Sequence, residues 1–353
     1  MTVRRGGILD DMHVAMVGAG SWGSALAGLL RSKGHHVVLW DIDEATVAEI
    51  EETGANGRYL PGIALPPGLR ATTDLAAALR VADLVVLAVP SQAMRVVAEQ
   101  VAALLGKTAE DSLLCSVTKG IEVETLMTMH QVLEDVFAPA VHPRLTYLSG
   151  PSFAVEVAAG LPTAVTIAGR DLTYARRAQI AFATKFFRPY VTEDVVGVEI
   201  GGCAKNVVAI AVGLANGMGF ERNADAALIT RGLSEITRLG MALGADPLTF
   251  GGLSGVGDLV LTCTSEKSRN YRVGYGLGRG EDLQSIQRGL GQVAEGVVNA
   301  KAVHLLAVSL GVEMSLCNAV YRLLYEGLTP EQAVEELAAR DLKHELPGRE
   351  IPA

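Results

Sequence analysis

Six residues, Gly18-Ala19-Gly20-Ser21-Trp22-Gly23, constrain this chain more than any others. They match G-x-G-x-x-G directly after a short apolar run, His13 to Val17, and directly before a helical pattern from Ser24 to Lys33. A second short run, His36 to Trp40, follows and completes a βαβ unit of roughly 30 residues, the size of a parallel crossover. In such a unit Gly18 permits the tight turn, Gly20 lets backbone approach a pyrophosphate, and Gly23 lets helix and strand pack closely. The anion would rest on the helix N-terminus, among unpaired N–H groups. Asp41 stands near the ~20-residue offset at which an acidic side chain meets a ribose 2′-hydroxyl, so the motif points to a dinucleotide.

Further apolar runs at Leu84 to Val89, Leu113 to Val117, Thr146 to Leu148 and Ala164 to Ile167 alternate with helical or loop segments. That alternation predicts an α/β fold with a largely parallel, doubly wound sheet of Rossmann type. Pro61, Pro66 and Pro67 among glycines exclude a regular helix from Asn56 to Gly68. After about Val198 the period becomes helical through Ile200 to Leu214, Ala224 to Leu243, Val293 to Leu310 and Leu316 to Glu326, predicting an all-α C-terminal domain. A chain of 353 residues is expected to hold two cores. The expected division is a disordered tail at 1–12, a dinucleotide-binding domain at 13–197 and a helical substrate domain at 198–353.

Charge and cysteine usage narrow the class of function. A net charge of -9 argues against nucleic-acid binding, which needs clustered cations facing phosphates, while leaving room for a small anionic substrate. Cys115, Cys203, Cys263 and Cys317 form no C-x-x-C pair and no zinc-type cluster, so no metal is expected and the thiols read as reduced core residues. The residues Met1 to Met12 lack the apolar run of a signal peptide, and Val207 to Leu214 is well short of the ~20 residues of a membrane span. A cytoplasmic enzyme without membrane insertion is the expectation.

Several residues carry candidate chemistry. Val89-Pro90-Ser91 and Thr118-Lys119-Gly120 each end a strand at the carboxyl edge, the side on which open α/β sheets bind ligands. Lys119 there is either an ammonium in the site or an ordinary surface lysine. Lys205-Asn206 interrupts an otherwise apolar helix, where a charge is expensive unless paired or facing a cleft. Desolvation and a neighbouring cation would lower the pKa of such an amine towards that of a general base at neutral pH; a snorkelling lysine is the plainer alternative. Gly251 to Gly257 leads into Asp258, and Ser268-Arg269-Asn270 resembles a helix start rich in phosphate donors. Asp258 as a helix cap and Arg269 as a solvated charge are the alternatives.

Taken together, these motifs resemble those of bacterial NAD(P)-dependent glycerol-3-phosphate dehydrogenases. Gly18 to Gly23, Thr118-Lys119-Gly120, Ser149-Gly150-Pro151-Ser152-Phe153-Ala154, Gly201 to Asn206, Gly257-Asp258-Leu259, Ser268-Arg269-Asn270 and Gly291 to Gly296 occur in that family's order and spacing, over about residues 12 to 340. The resemblance implies interconversion of sn-glycerol 3-phosphate and dihydroxyacetone phosphate with NAD or NADP, supplying glycerol 3-phosphate for phospholipid synthesis. It implies Lys205 as proton acceptor, with Lys119 and Asp258 also catalytic. Lys119, Gly150, Ser152, Lys205, Asn206, Asp258, Ser268, Arg269 and Asn270 would line the substrate. Gly18, Gly20, Ser21, Trp22, Gly23, Asp41, Lys119, Ala154, Arg269, Val293 and Glu295 would touch the cofactor. A homodimer is the family-level expectation.

Cofactor choice is where the residues depart from the family's commoner pattern. Members that accept NADPH often carry a basic residue two places after the tryptophan ending the second strand, but here Trp40 is followed by Asp41 and Ile42. A carboxylate would repel a 2′-phosphate, so NAD is expected to be preferred, unless Asp41 merely caps the next turn and His35 or Arg58 holds the phosphate. Two competing readings are a 3-hydroxyacid or 6-phosphogluconate dehydrogenase, which would show a different lysine-to-asparagine spacing, and a nucleotide sensor without catalysis.

Overall fold

The structure, a computed structural model, describes residues 11–105, 111–291 and 294–339. One sheet holds β1 (His13–Val17), β2 (His36–Trp40), β3 (Arg70–Thr72), β4 (Leu84–Leu87), β5 (Leu113–Ser116), β6 (Leu145–Ser149), β7 (Thr163–Ala168) and β8 (Phe187–Thr192). Between them run α1 (Ser21–Ser32), α2 (Glu44–Thr53), α3 (Leu75–Leu79), α4 (Met94–Leu105), α5 (Met129–Val136), α6 (Ala154–Ala158) and α7 (Leu172–Phe182). Among the described residues beyond β8 come helices only: α8 (Val195–Gly217), α9 (Arg222–Ala242), α10 (Asp258–Cys263), α11 (Arg269–Gly278), α12 (Leu283–Leu290), α13 (Glu295–Leu310), α14 (Ser315–Tyr325) and α15 (Pro330–Ala338), with short helical turns at Pro247–Gly251 and Leu253–Gly257.

The strand order is β3-β2-β1-β4-β5-β6-β7-β8. Every neighbouring pair is parallel except β6 with β7, where Leu148 faces Ile167 in an antiparallel ladder. Strands β4 and β5 are buried along their whole length, as expected of a sheet covered on both faces by crossover helices. The order reverses between β1 and β4, which places the switch point at the carboxyl ends of these two strands.

Two strands were not anticipated from the residue pattern. β3 has three residues, too few to show a period, and β8 alternates buried Phe187 and Pro189 with exposed Arg188 and Tyr190. Pro189 lacks an amide hydrogen and is tolerated because β8 is an edge strand. Helix α1 begins at Ser21, three residues before the expected Ser24, because Gly20 already supplies the extended N-cap. Just before β1, Met12 is buried and its carbonyl accepts from His36 N at 2.9 Å.

Helix α8 links the two halves. Val195 and Val198, at its start, pack with the sheet, while Ile200 to Val212 form the centre of the helical core. It is the one described helix long and apolar enough to cross a membrane, yet 94% of its best window is buried inside the fold. At its sheet end Glu199 accepts from the backbone N of His130 at 2.9 Å and pairs with His130 Nδ1 at 2.6 Å, joining α8 to α5. Burial pulls the His130 pKa down, but the Glu199 hydrogen bond and charge outweigh it and leave the imidazole above its usual value.

Helices α8 and α11 meet backbone to backbone. A Cβ on Gly274 would strike the carbonyl oxygen of Ile210, and one on Gly213 would strike that of Tyr271. Glycine is therefore required at this crossing, which carries the N-terminus of α11 towards the residues following Cys203. Elsewhere in the helical half, buried Glu235 of α9 accepts from Leu316 N at 2.8 Å and Cys317 N at 3.1 Å. It caps α14, whose own N-cap residue, Met314, has no side-chain acceptor.

Candidate active site

The parallel arrangement of β1, β4, β5 and β6 puts the residues that follow them on one edge of the sheet. At β1, Gly18 has φ +115°, and a Cβ there would lie 2.5 Å from the carbonyl oxygen of Ala88 at the end of β4. A Cβ on Gly23 would strike the carbonyl oxygen of Gly18, which is the close helix–strand packing expected of the third glycine. A Cβ on Gly20 would meet nothing within 4 Å, so this face of the turn is open at the N-terminus of α1. The first turn of that helix carries no acidic residue to oppose an anion. These features fit a dinucleotide's pyrophosphate.

Other residues expected near the cofactor surround this turn. Ser21 and Trp22 open α1, with Trp22 packed partly into the sheet core and its indole Nε1 buried without a hydrogen-bond partner. Ala154 opens α6, which packs against α1. Asp41 follows β2, and its Oδ2 accepts from Ala19 N at 2.6 Å while its Oδ1 accepts from Asp43 N at 3.0 Å. The carboxylate thus braces the glycine turn and caps the following one, with lone pairs left over on both oxygens. Ile42 is 79% exposed. His35 is buried between Met12 N and the carbonyl of Ala181, which removes it as a phosphate holder. Arg58 pairs with Asp43 at 3.4 Å. Val293 lies outside the described residues.

Lys119 follows β5 and crosses to the helical half. Its Nζ donates to Gly150 O at 3.2 Å and to Asp258 Oδ2 at 2.7 Å. Gly150 follows β6 with φ +139°, and Ser152 Oγ donates to the same carbonyl at 3.0 Å. Lys205, 6% exposed, donates from Nζ to Asp258 Oδ1 at 2.5 Å and to Thr262 Oγ1 at 2.8 Å. Asp258, 1% exposed at the start of α10, therefore bridges two lysines through its two oxygens and is no helix cap. Burial pulls the Lys205 pKa down, Asp258 opposes that pull, and Lys119 adds to it, leaving the amine at about 8. An amine so placed can exchange a proton near neutrality.

A second knot lies beside the first. Asn270 Nδ2 donates to Asn206 Oδ1 at 2.9 Å, and Asn270 Oδ1 accepts from Gly296 N at 2.9 Å, tying α8, α11 and α13. Ser268 is the N-cap of α11, accepting from Tyr271 N at 3.2 Å, as its place in the sequence suggested. Arg269 is exposed at the start of α11; desolvation by neighbouring protein lowers its pKa, opposed by the charge of Glu295. Glu295, at the start of α13, accepts from Ser91 Oγ at 3.0 Å and so joins the end of β4 to the helical half. Burial holds the Glu295 carboxyl above its usual value, opposed by Ser91 and Arg269.

Thr262 was not among the residues expected in the site. It sits one helical turn after Asp258, whose carbonyl it donates to at 2.6 Å, so the i, i+4 spacing was the available signal.

Known proteins resemble this chain in sequence and in fold over most of its length. The family model described as NAD-dependent glycerol-3-phosphate dehydrogenase N-terminus matches residues 13–175, and the corresponding C-terminus model matches residues 194–335. A relative from Anaeromyxobacter dehalogenans (strain 2CP-C), named glycerol-3-phosphate dehydrogenase (NAD(P)+), is 57% identical over 95% of this chain and 100% of its own length. One of the same name from Geobacter sp. (strain M21) is 48% identical over 94% of this chain and 98% of its own. The crystal structure of a glycerol-3-phosphate dehydrogenase from Coxiella burnetii is 40% identical and superposes with a TM-score of 0.88, covering 94% of this chain and 99% of that one. With both family models matched in order, the chain belongs to the NAD-dependent glycerol-3-phosphate dehydrogenase family.

Proposed function

We infer that this chain interconverts sn-glycerol 3-phosphate and dihydroxyacetone phosphate with NAD(P). The observation that carries the chemistry is the buried Lys119–Asp258–Lys205 cluster on the sheet edge that also bears the glycine turn. The nicotinamide ring, when bound, accepts or supplies the hydride. Lys205 takes the C2 hydroxyl proton as the alcohol is oxidised, and in reverse its ammonium donates a proton to the ketone oxygen. Asp258 and Lys119 set the proton affinity of Lys205 in opposite directions; Asp258 is held by both lysines, and Lys119 by Asp258 and the Gly150 carbonyl. Gly150 and Ser152 line the substrate from β6, and Asn206 and Asn270 line it from α8 and α11.

Ser268, Arg269 and the N-terminus of α11 hold the phosphate, fixing the three-carbon chain so that C2 faces Lys205. Gly18, Gly20 and Gly23 seat the pyrophosphate, with Ser21, Trp22, Ala154, Lys119, Arg269, Val293 and Glu295 around the cofactor. NAD is the preferred cofactor in this reading, supported by Asp41 and by the absence of a cation at Ile42. The division into 13–197 and 198–353 accords with the family matches at 13–175 and 194–335. A cytoplasmic homodimer supplying phospholipid synthesis completes the reading, and its oligomeric part is checked by light scattering.

The direct test is the loss of absorbance of reduced cofactor on adding dihydroxyacetone phosphate. Lys205→Ala is expected to lower kcat by roughly 10² to 10⁴, the usual worth of a positioned acid or base, with cofactor affinity unchanged. A wild type that consumes no cofactor with this substrate would remove the assignment.

A further inference from the structure

The glycine turn is held from behind by a residue with no assigned role. Asn56 lies in the loop after α2, is 0% exposed, and uses both amide hydrogens: Nδ2 donates to Ala19 O at 2.8 Å and to Ser24 Oγ at 2.8 Å. Ser24 Oγ in turn donates to the same carbonyl at 3.1 Å. The Asn56 carbonyl end is engaged by Tyr59 N at 3.3 Å, and its backbone oxygen accepts from Leu60 N at 2.7 Å, so the amide cannot rotate freely. On the other side of the turn, Ala19 N is held by Asp41.

The consequence follows from peptide planarity. The Ala19 carbonyl and the Gly20 N–H belong to one planar trans unit and point to opposite edges of it. Drawing the carbonyl into the buried Asn56–Ser24 pair therefore turns the Gly20 N–H the other way, away from that pair, at a residue whose Cβ position is itself open. We propose that Asn56, acting through Ser24 and the Ala19 carbonyl, is a positioning residue that aims the Gly20 N–H at the pyrophosphate of the cofactor. This rests on the cofactor reading above. It separates two jobs: Asn56 sets how tightly any pyrophosphate-bearing dinucleotide is held, whereas Asp41 also stands where the ribose is distinguished.

Asn56→Asp tests the geometry, since it keeps shape and replaces the donating nitrogen by an oxygen facing the Ala19 carbonyl. The dissociation constants of NADH, NADPH and ADP-ribose, read by calorimetry on the folded full chain, are each expected to rise about tenfold, the scale of a buried acceptor left without its donor. Their ratios should stay within about twofold, as should KM for dihydroxyacetone phosphate and kcat at saturating cofactor. Ser24→Ala, which removes only the relay, should weaken the same three ligands about threefold, and it decides the matter if Asn56→Asp does not fold. Unchanged dinucleotide affinity in a folded variant, a changed NADH to NADPH ratio, or a loss confined to the triose would overturn the proposal. A wild type that binds none of the three ligands would instead overturn the cofactor reading, and this inference with it.

Discussion

Replacing Asp258 with Asn keeps the side chain's volume and removes the charge that stands between two ammonium groups. Lys119, half-buried, approaches one oxygen at 2.7 Å and Lys205, buried, the other at 2.5 Å. An ion pair at about 4 Å is worth about 4 kcal/mol at an effective dielectric of about 20, and a pKa unit corresponds to about 1.4 kcal/mol. If half of that attraction survives burial, its loss lowers the Lys205 pKa by more than about one unit, from about 8 to below about 7. Of the remaining influences, desolvation and Lys119 act downward, and only the smaller one of Cys263 opposes them. Reduction of the ketone needs protonated Lys205, so the rate is present below the pKa and lost as pH rises through it. The assay is kcat for dihydroxyacetone phosphate reduction from pH 5.5 to 9.5, which in the wild type should fall with a midpoint near pH 8. In Asp258→Asn that midpoint is expected at least about one unit lower, so the rate at pH 7.5 drops more steeply than the rate at pH 6. A profile scaled down uniformly, with its midpoint unmoved, would refute the argument and leave Asp258 a structural role only. The variant should also lose about 3–5 kcal/mol of stability, from breaking the buried Lys205–Asp258 pair, and denaturant unfolding measures that separately.

Truncating Arg269 to Ala is expected to raise KM for the triose phosphate and to cost about 2–5 kcal/mol in kcat/KM; a wild type that used glycerol as readily as glycerol 3-phosphate would remove the phosphate clamp. The wild type is expected to prefer NADH over NADPH by at least about tenfold in kcat/KM, a difference of about 1.4 kcal/mol. Asp41→Asn with Ile42→Arg, which leaves one acceptor for Ala19 N, should shift that ratio towards NADPH, and an unchanged ratio in steady-state kinetics would count against the reading. Glu235→Gln retains a single acceptor for the two amides at the start of α14 and is expected to destabilise the fold by about 1–3 kcal/mol without altering kcat, as checked by thermal unfolding and turnover together.

The central strands and the helices α8, α9, α13 and α14 were legible because apolar periodicity is a local property, and glycine spacing marked the turn at Gly18. β3 and β8 were hidden for physical reasons: one is too short to have a period, and the other is an edge strand with an exposed face and a proline. In the site, Lys205 was legible as a charge inside an apolar helix, and Ser268-Arg269-Asn270 as the start of one. What joins them was not. The Lys119–Asp258 contact spans 139 positions, that of Ser91 with Glu295 spans 204, and that of His130 with Glu199 spans 69. Nothing in the residues near Asp41 foretold that its carboxylate would also hold Ala19 N, since that depends on how the second strand ends beside the first.

The glycine crossing of α8 and α11 has a bearing on substrate length. Most helix pairs are spaced by side chains, which can repack by an ångström when a neighbour changes. Here the spacers are main-chain atoms, with Gly274 against the Ile210 carbonyl and Gly213 against that of Tyr271. Lys205 lies on one of these helices, and Ser268 and Arg269 lie at the head of the other. The span from the Lys205 amine to the head of α11, proposed above to hold the phosphate, is therefore gauged by covalent geometry, like a caliper whose jaws are two backbones. A chain one carbon shorter than a triose would leave a gap, and one carbon longer would overrun the span, with no soft contact at this crossing to adjust for either.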